Sequence, residues 1–157
     1  MLYIECPKVL ADVIDSKHRV FLAGGITGCP DWQSLVVQKL KDLSNLTVFN
    51  PRRELFDFSI DCREQITWEF DCMQQSNVIF FYFPKESICP IALYELGRML
   101  AFYRLKGDRH LVIGCDKEYE RIRDLEIQVE LASQGQLVVH SDLDETVDDL
   151  LGHLKSS

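Results

Sequence analysis

Two acids are the residues in this chain best placed by type and spacing to do chemistry. Glu95 lies in CPIALYELGRML (89–100), which reads as a helix with Pro90 in its first turn. At about 100° per residue, Ala92, Leu96, Met99 and Tyr103 form the centre of an apolar face, and Glu95 projects inside that arc. Burial alone would select a hydrophobe there, because an unpaired carboxylate is costly to bury. Either a partner such as Arg98 holds it, or the carboxylate is kept because it reacts. Its place in the second helical turn, near the positive end, offsets part of the cost. Gly97 removes a side chain mid-helix at about 1 kcal/mol, which points to close approach by another backbone or a ligand. The second acid is Asp71, in TWEFDCM. The i, i+3, i+4 spacing puts Trp68, Asp71 and Cys72 on one helix face. An aromatic beside an acid suits a flat, hydrogen-bonding ligand such as a nucleobase; the plain alternative is a core tryptophan beside a solvated acid.

Two loops supply further candidates. AGGITG places Gly24, Gly25 and Ile26 after a strand, where bare backbone N–H groups can approach a ligand. The spacing is not GxGxxG and no GK[ST] follows, so neither a dinucleotide fingerprint nor a P-loop is supported. NPRR ends a second strand at Asn50 and Pro51, and Arg52 and Arg53 could meet a phosphate or a carboxylate.

These residues need a scaffold, and the rest of the chain predicts one. RVFLA (19–23), LTVF (46–49), NVIFFYF (77–83), HLVIGC (110–115) and QLVVH (136–140) read as strands. The third is an almost unbroken apolar run, as expected of a strand covered on both faces. Helical patterns lie between them at 31–43, 63–75 and 90–103, then in EYERIRDLEIQVELASQ, with DETVDDLLGHL closing the chain. Strict alternation argues for an α/β, doubly wound, five-stranded parallel sheet with helices on both faces, in the flavodoxin-like order 2-1-3-4-5. The 157 residues (1–157) are expected to form one domain. Residues 1–18 are expected to be an N-terminal extension in which IEC could add an edge strand. In such a sheet, ligands bind beyond the carboxyl ends of the strands, where AGGITGCPDW, NPRRE and PKESICP would meet.

Composition narrows the classes. A net charge of −8 disfavours nucleic-acid binding, which wants a basic face. No run of about 18 apolar residues predicts a membrane span, and the first residues make a poor signal peptide. The cysteines 6, 29, 62, 72, 89 and 115 form no CxxC pair and no zinc-ligand spacing with the histidines, so they are expected to be reduced thiols of a cytoplasmic protein.

Taken together, VFLAGGITGCPDWQ, NPRR, QITWEFDCM, NVIFFYFP and CPIALYELGRML resemble the nucleoside 2-deoxyribosyltransferase family and its N-glycosidase relatives. The pieces span roughly residues 19–103, in the family's order, and YELG after a strand and a Pro-led helix is the most specific. The resemblance implies cleavage of the N-glycosidic bond of a nucleoside or nucleotide. It implies that Glu95 is the nucleophile and that Asp71 engages the leaving base. The glycine loop and Trp32 would line the pocket, with Asn50, Pro51, Arg52, Trp68 and Cys89 as further substrate contacts. It implies no metal and no organic cofactor. A homo-oligomer is expected, because the family's sites are completed by neighbouring subunits. This chain departs from the well-studied transferases at Phe21, where they carry a tyrosine, and at about Cys89 and at Asn77, where they carry acids. Three readings therefore stand: a transferase, a hydrolase of a nucleoside or its 5′-monophosphate, and a non-catalytic nucleotide-binding module.

Overall fold

The computed structural model describes residues 1–8, 15–53 and 61–156. Among the described residues, six parallel strands form one sheet: β1 (Leu2–Glu5), β2 (His18–Gly24), β3 (Leu46–Asn50), β4 (Val78–Phe83), β5 (His110–Cys115) and β6 (Val139–His140). They are ordered β1-β3-β2-β4-β5-β6. Leaving β1 aside, this is the expected 2-1-3-4-5 order. The strand count is corrected from five to six, because Leu2–Glu5 pairs in register with Thr47–Asn50 along the edge of β3. Its single buried residue, Ile4, is too little to read as a strand from periodicity. The last strand is shorter than QLVVH suggested, with only Ile113 and Gly114 of β5 facing Val139 and His140.

The helices are α1 (Trp32–Leu40), α2 (Cys62–Gln75), α3 (Pro90–Lys106), α4 (Ile122–Ser133) and α5 (Leu143–Ser156). Two apolar cores lie on opposite faces of the sheet. Phe21, Ala23, Ile79, Phe81 and Phe83 pack under α2, α3 and α4. Val20, Leu22, Val78, Phe80 and Tyr82 pack under α1 and α5. Successive strand residues point to opposite faces, so a strand covered on both must be apolar throughout. That is why VIFFYF has no polar position. Each phenylalanine so buried contributes about 1.5–3 kcal/mol. Among the described residues, no helix is long and apolar enough to cross a membrane.

At the end of the sheet opposite the strand carboxyl ends, three histidines meet. The rings of His110 and His153 stack with centroids 3.7 Å apart, and His18 meets His153 edge-on at 6.2 Å. His110 Nε2 is buried with no hydrogen-bond partner among the described residues. Burial is the first cause holding all three imidazoles below their ordinary value of 6.5; mutual repulsion adds for His18 and His110, Lys17 acts on His18, and Asp149 opposes for His110 and His153. The folded state thus favours the neutral rings, while the unfolded chain binds protons near 6.5. Stability should fall as pH drops through that value. His110→Phe should flatten the dependence. Melting temperatures between pH 8 and pH 5 test this, and equal acid slopes for variant and parent would refute it.

Candidate active site

Beyond the carboxyl ends of β2, β3 and β4 lies a cleft of about 250 Å³. It opens where α1 and α3 leave neighbouring strands toward opposite faces of the sheet, the position at which parallel sheets generally bind ligands. Four segments build it: the end of β2 with the loop Gly24–Thr27, Pro51 after β3, α2, and Ser87 through the first turns of α3. Glu95 on α3 and Glu69 on α2 both line it.

Glu95 is half-buried, and among the described residues it makes no hydrogen bond and no salt bridge. Arg98 does not hold it in an ion pair: its guanidinium lies over the Phe70 ring at 4.8 Å and donates to Met73 Sδ at 3.2 Å. Burial first, and the Glu69 charge second, push the Glu95 carboxyl up to about 7, with Arg98 pulling weakly the other way. Glu69 is raised as well, mainly by burial, while a hydrogen bond from Gln65 Nε2 at 2.8 Å and the nearby Arg53 oppose the rise. Two carboxylates thus share one low-dielectric cleft and disfavour double ionisation.

Three expected ligand contacts are engaged within the protein, two of them by the glycine loop and the turn after it. Trp32 is buried, stacks on Phe80, packs at a tilt against Tyr82, and donates its indole N–H to Gly25 O at 2.8 Å. Arg52 donates to Gln33 Oε1 and to the carbonyls of Ile26, Cys29 and Pro30, at 2.8–3.2 Å. Asn50 accepts from Arg52 N and donates to the Tyr3 hydroxyl. None of these three lines the cleft; Trp32 and Arg52 fix the loop that does, and Asn50 holds the Arg52 backbone. A Cβ at Gly25 would fall 2.7 Å from Cys29 Sγ and 2.8 Å from Cys89 Sγ, so both thiols would have to shift to admit one.

Gly24, Gly25, Ile26, Pro51, Cys89 and Glu95 from the sequence reading therefore meet in the cleft. Trp68 and Asp71 do not line it. Trp68 packs against Phe21 and Phe49 and donates to Lys8 O at 2.9 Å, and Asp71 is exposed. The inward face of α2 runs through Trp68, Glu69, Cys72 and Met73, so the acid it carries is Glu69. The signal was available: Glu69 interrupts an apolar arc in the way Glu95 does. No other backbone approaches Gly97, since a Cβ there would meet nothing within 4 Å. Among the described residues, no group of three or more His, Cys, Asp or Glu is placed to hold a metal ion.

A family profile described as nucleoside 2-deoxyribosyltransferase like matches residues 17–119, about two-thirds of the chain. That span covers β2 through Tyr119 and includes every cleft residue. No curated protein sequence matches the chain.

Proposed function

Since the chain belongs to the nucleoside 2-deoxyribosyltransferase-like family, we propose that it cleaves the N-glycosidic bond of a nucleoside by double displacement at Glu95. The Glu95 carboxylate attacks the anomeric carbon, the bond to the base nitrogen breaks, and a glycosyl ester forms on the enzyme. A second base or water then displaces Glu95 and completes the transfer or the hydrolysis. The departing base needs a proton. Glu69 serves this step in place of Asp71, because it shares the cleft with Glu95 and its own carboxyl is raised. Burial raises both carboxyls and each charge disfavours the other, so the reactive form is the one with Glu95 ionised to attack and Glu69 protonated to donate.

The observation that carries this reading is Glu95 itself: a carboxylate inside an apolar arc, facing a cleft, with no ion-pair partner among the described residues to account for its presence. The cleft also favours an uncharged nucleoside over its 5′-phosphate. Its lining holds no lysine or arginine among the described residues, and residues 9–14 and 54–60 contain no basic residue in sequence. A phosphate dianion beside two acids would be repelled.

Mass spectrometry of the intact protein after incubation with a panel of deoxynucleosides tests the mechanism, with chromatography of the released bases. A pentosyl adduct mapped to Glu95, with exchange when a second base is added, identifies a transferase. The adduct with base release and no exchange identifies a hydrolase. Base release from a Glu95→Ala protein at the parent rate would overturn the assignment of the nucleophile.

A further inference from the structure

Two cysteines distant in sequence come together at the mouth of the cleft. Cys29 closes the turn after the glycine loop, with its N–H donating to Ile26 O at 3.1 Å. Cys89 precedes Pro90 at the start of α3, in a left-handed conformation (φ 52°) that is unusual for a residue with a side chain. Both thiols are free. Their sulfurs lie 2.7 and 2.8 Å from the same point, the position of a Cβ on Gly25, so they are at most about 5.5 Å apart. Nothing in the glycosidic chemistry uses this pair of thiols.

We propose that Cys29 and Cys89 form a reversible disulfide under peroxide, and that this bond closes the cleft by tying the glycine loop to the helix that carries Glu95. The two thiols divide the work by accessibility. Cys29 is partly exposed, and the Arg52 guanidinium contacts its carbonyl at 3.2 Å. Cys89 is buried, with its thiol directed to Ser87 O at 3.3 Å. The Cys29 thiolate attacks hydrogen peroxide, giving a sulfenic acid and hydroxide. The Cys89 sulfur then attacks the Cys29 sulfur; water leaves, the S–S bond forms, and the two thiols have lost two electrons and two protons. Burial pushes the Cys89 thiol up to about 11 and raises Cys29, with Arg52 opposing the rise at Cys29. The reaction should therefore quicken with rising pH. An S–S bond of about 2.05 Å draws Cys29 toward Cys89 across Gly25, Ile26 and Ser87, which line the cleft. Access for a nucleoside narrows there. This closure, though not the disulfide itself, rests on the cleft being the substrate site.

The test treats the full chain with hydrogen peroxide, alkylates free thiols and maps linkages without reduction. Exposed Cys62 is an internal control for the oxidant. A Cys29–Cys89 linked peptide that dithiothreitol removes is the expected result. Nucleoside cleavage should fall at least tenfold on oxidation and recover on reduction. The nucleoside-induced thermal shift should be lost and regained in parallel, so closure remains readable if no cleavage is found. Cys29→Ser should keep its activity and its thermal shift under peroxide. Oxidation of Cys62 while Cys29 and Cys89 alkylate as free thiols would overturn the proposal. A linked protein that cleaves and binds nucleoside as the reduced form does would overturn the closure.

Discussion

Glu95→Gln should lose turnover by about 10⁴-fold or more while folding normally. The amide keeps the shape of the side chain but cannot form the glycosyl ester, and removing a covalent nucleophile costs on this scale. Stability separates lost chemistry from lost structure. Burial and the Glu69 charge raise the folded pKa of Glu95 to about 7, above its ordinary value of 4.5. The folded state therefore favours the protonated form, and the stability this confers is lost as pH rises from 4.5 through about 7. Gln carries no charge to desolvate. The variant should be more stable than the parent at pH 8, by on the order of 3 kcal/mol, with a higher melting temperature, and equally stable at pH 4. An inactive variant with a lower melting temperature at pH 8 would mean that Glu95 supports the fold. Glu69→Gln should act differently. It removes a neighbouring negative charge, so the acid limb of the rate profile, set near pH 7 by Glu95, should move to lower pH. Losing a positioned acid should also slow base departure by roughly 10²–10⁴-fold.

Gly24→Ala should be the most damaging small substitution in the cleft wall. Gly24 has φ +152°, and an added Cβ would lie 2.1 Å from Tyr82 O and 2.8 Å from Trp32 Cζ2. The first obstacle is backbone of the central strand β4, paired in register with Gly24, so no side-chain rotation relieves it. Strained φ and overpacking each cost about 1–3 kcal/mol. A combined loss near 4 kcal/mol is a large fraction of the 5–15 kcal/mol typical of a domain. It should lower the melting temperature by about 10 °C and displace the loop that carries Gly25 and Ile26. Gly97→Ala is the matched control. Its Cβ meets nothing, and its site is mid-helix and exposed, so it should stabilise by up to about 1 kcal/mol. Equal melting temperatures for Gly24→Ala and the parent would show that the strand ends can separate at no cost.

Much of the fold was legible because it depends on local pattern. VIFFYF is apolar at every position, so it had to be covered on both faces, and the alternation with amphipathic helices followed. Glu95 was legible for the same reason, as an acid inside an apolar arc whose helix start Pro90 marks. The edge strand Leu2–Glu5 was weaker in sequence because pairing to β3, and not burial, defines it.

The sequence by itself thus determined the layered sheet, the core strand order and the position of Glu95, since period and burial depend on neighbours along the chain. Only the tertiary structure decided which acid of α2 faces the cleft. Glu69 and Asp71 are two residues apart, about 200° around a helix, and the packing of Trp68, Cys72 and Met73 on the sheet sets the rotation. It also decided that Trp32 and Arg52 serve the loop and not the cleft. The acceptors they satisfy are loop carbonyls, including those of Gly25, Ile26, Cys29 and Pro30. How an indole or a guanidinium spends its donors depends on which backbone oxygens the fold leaves unpaired beside it.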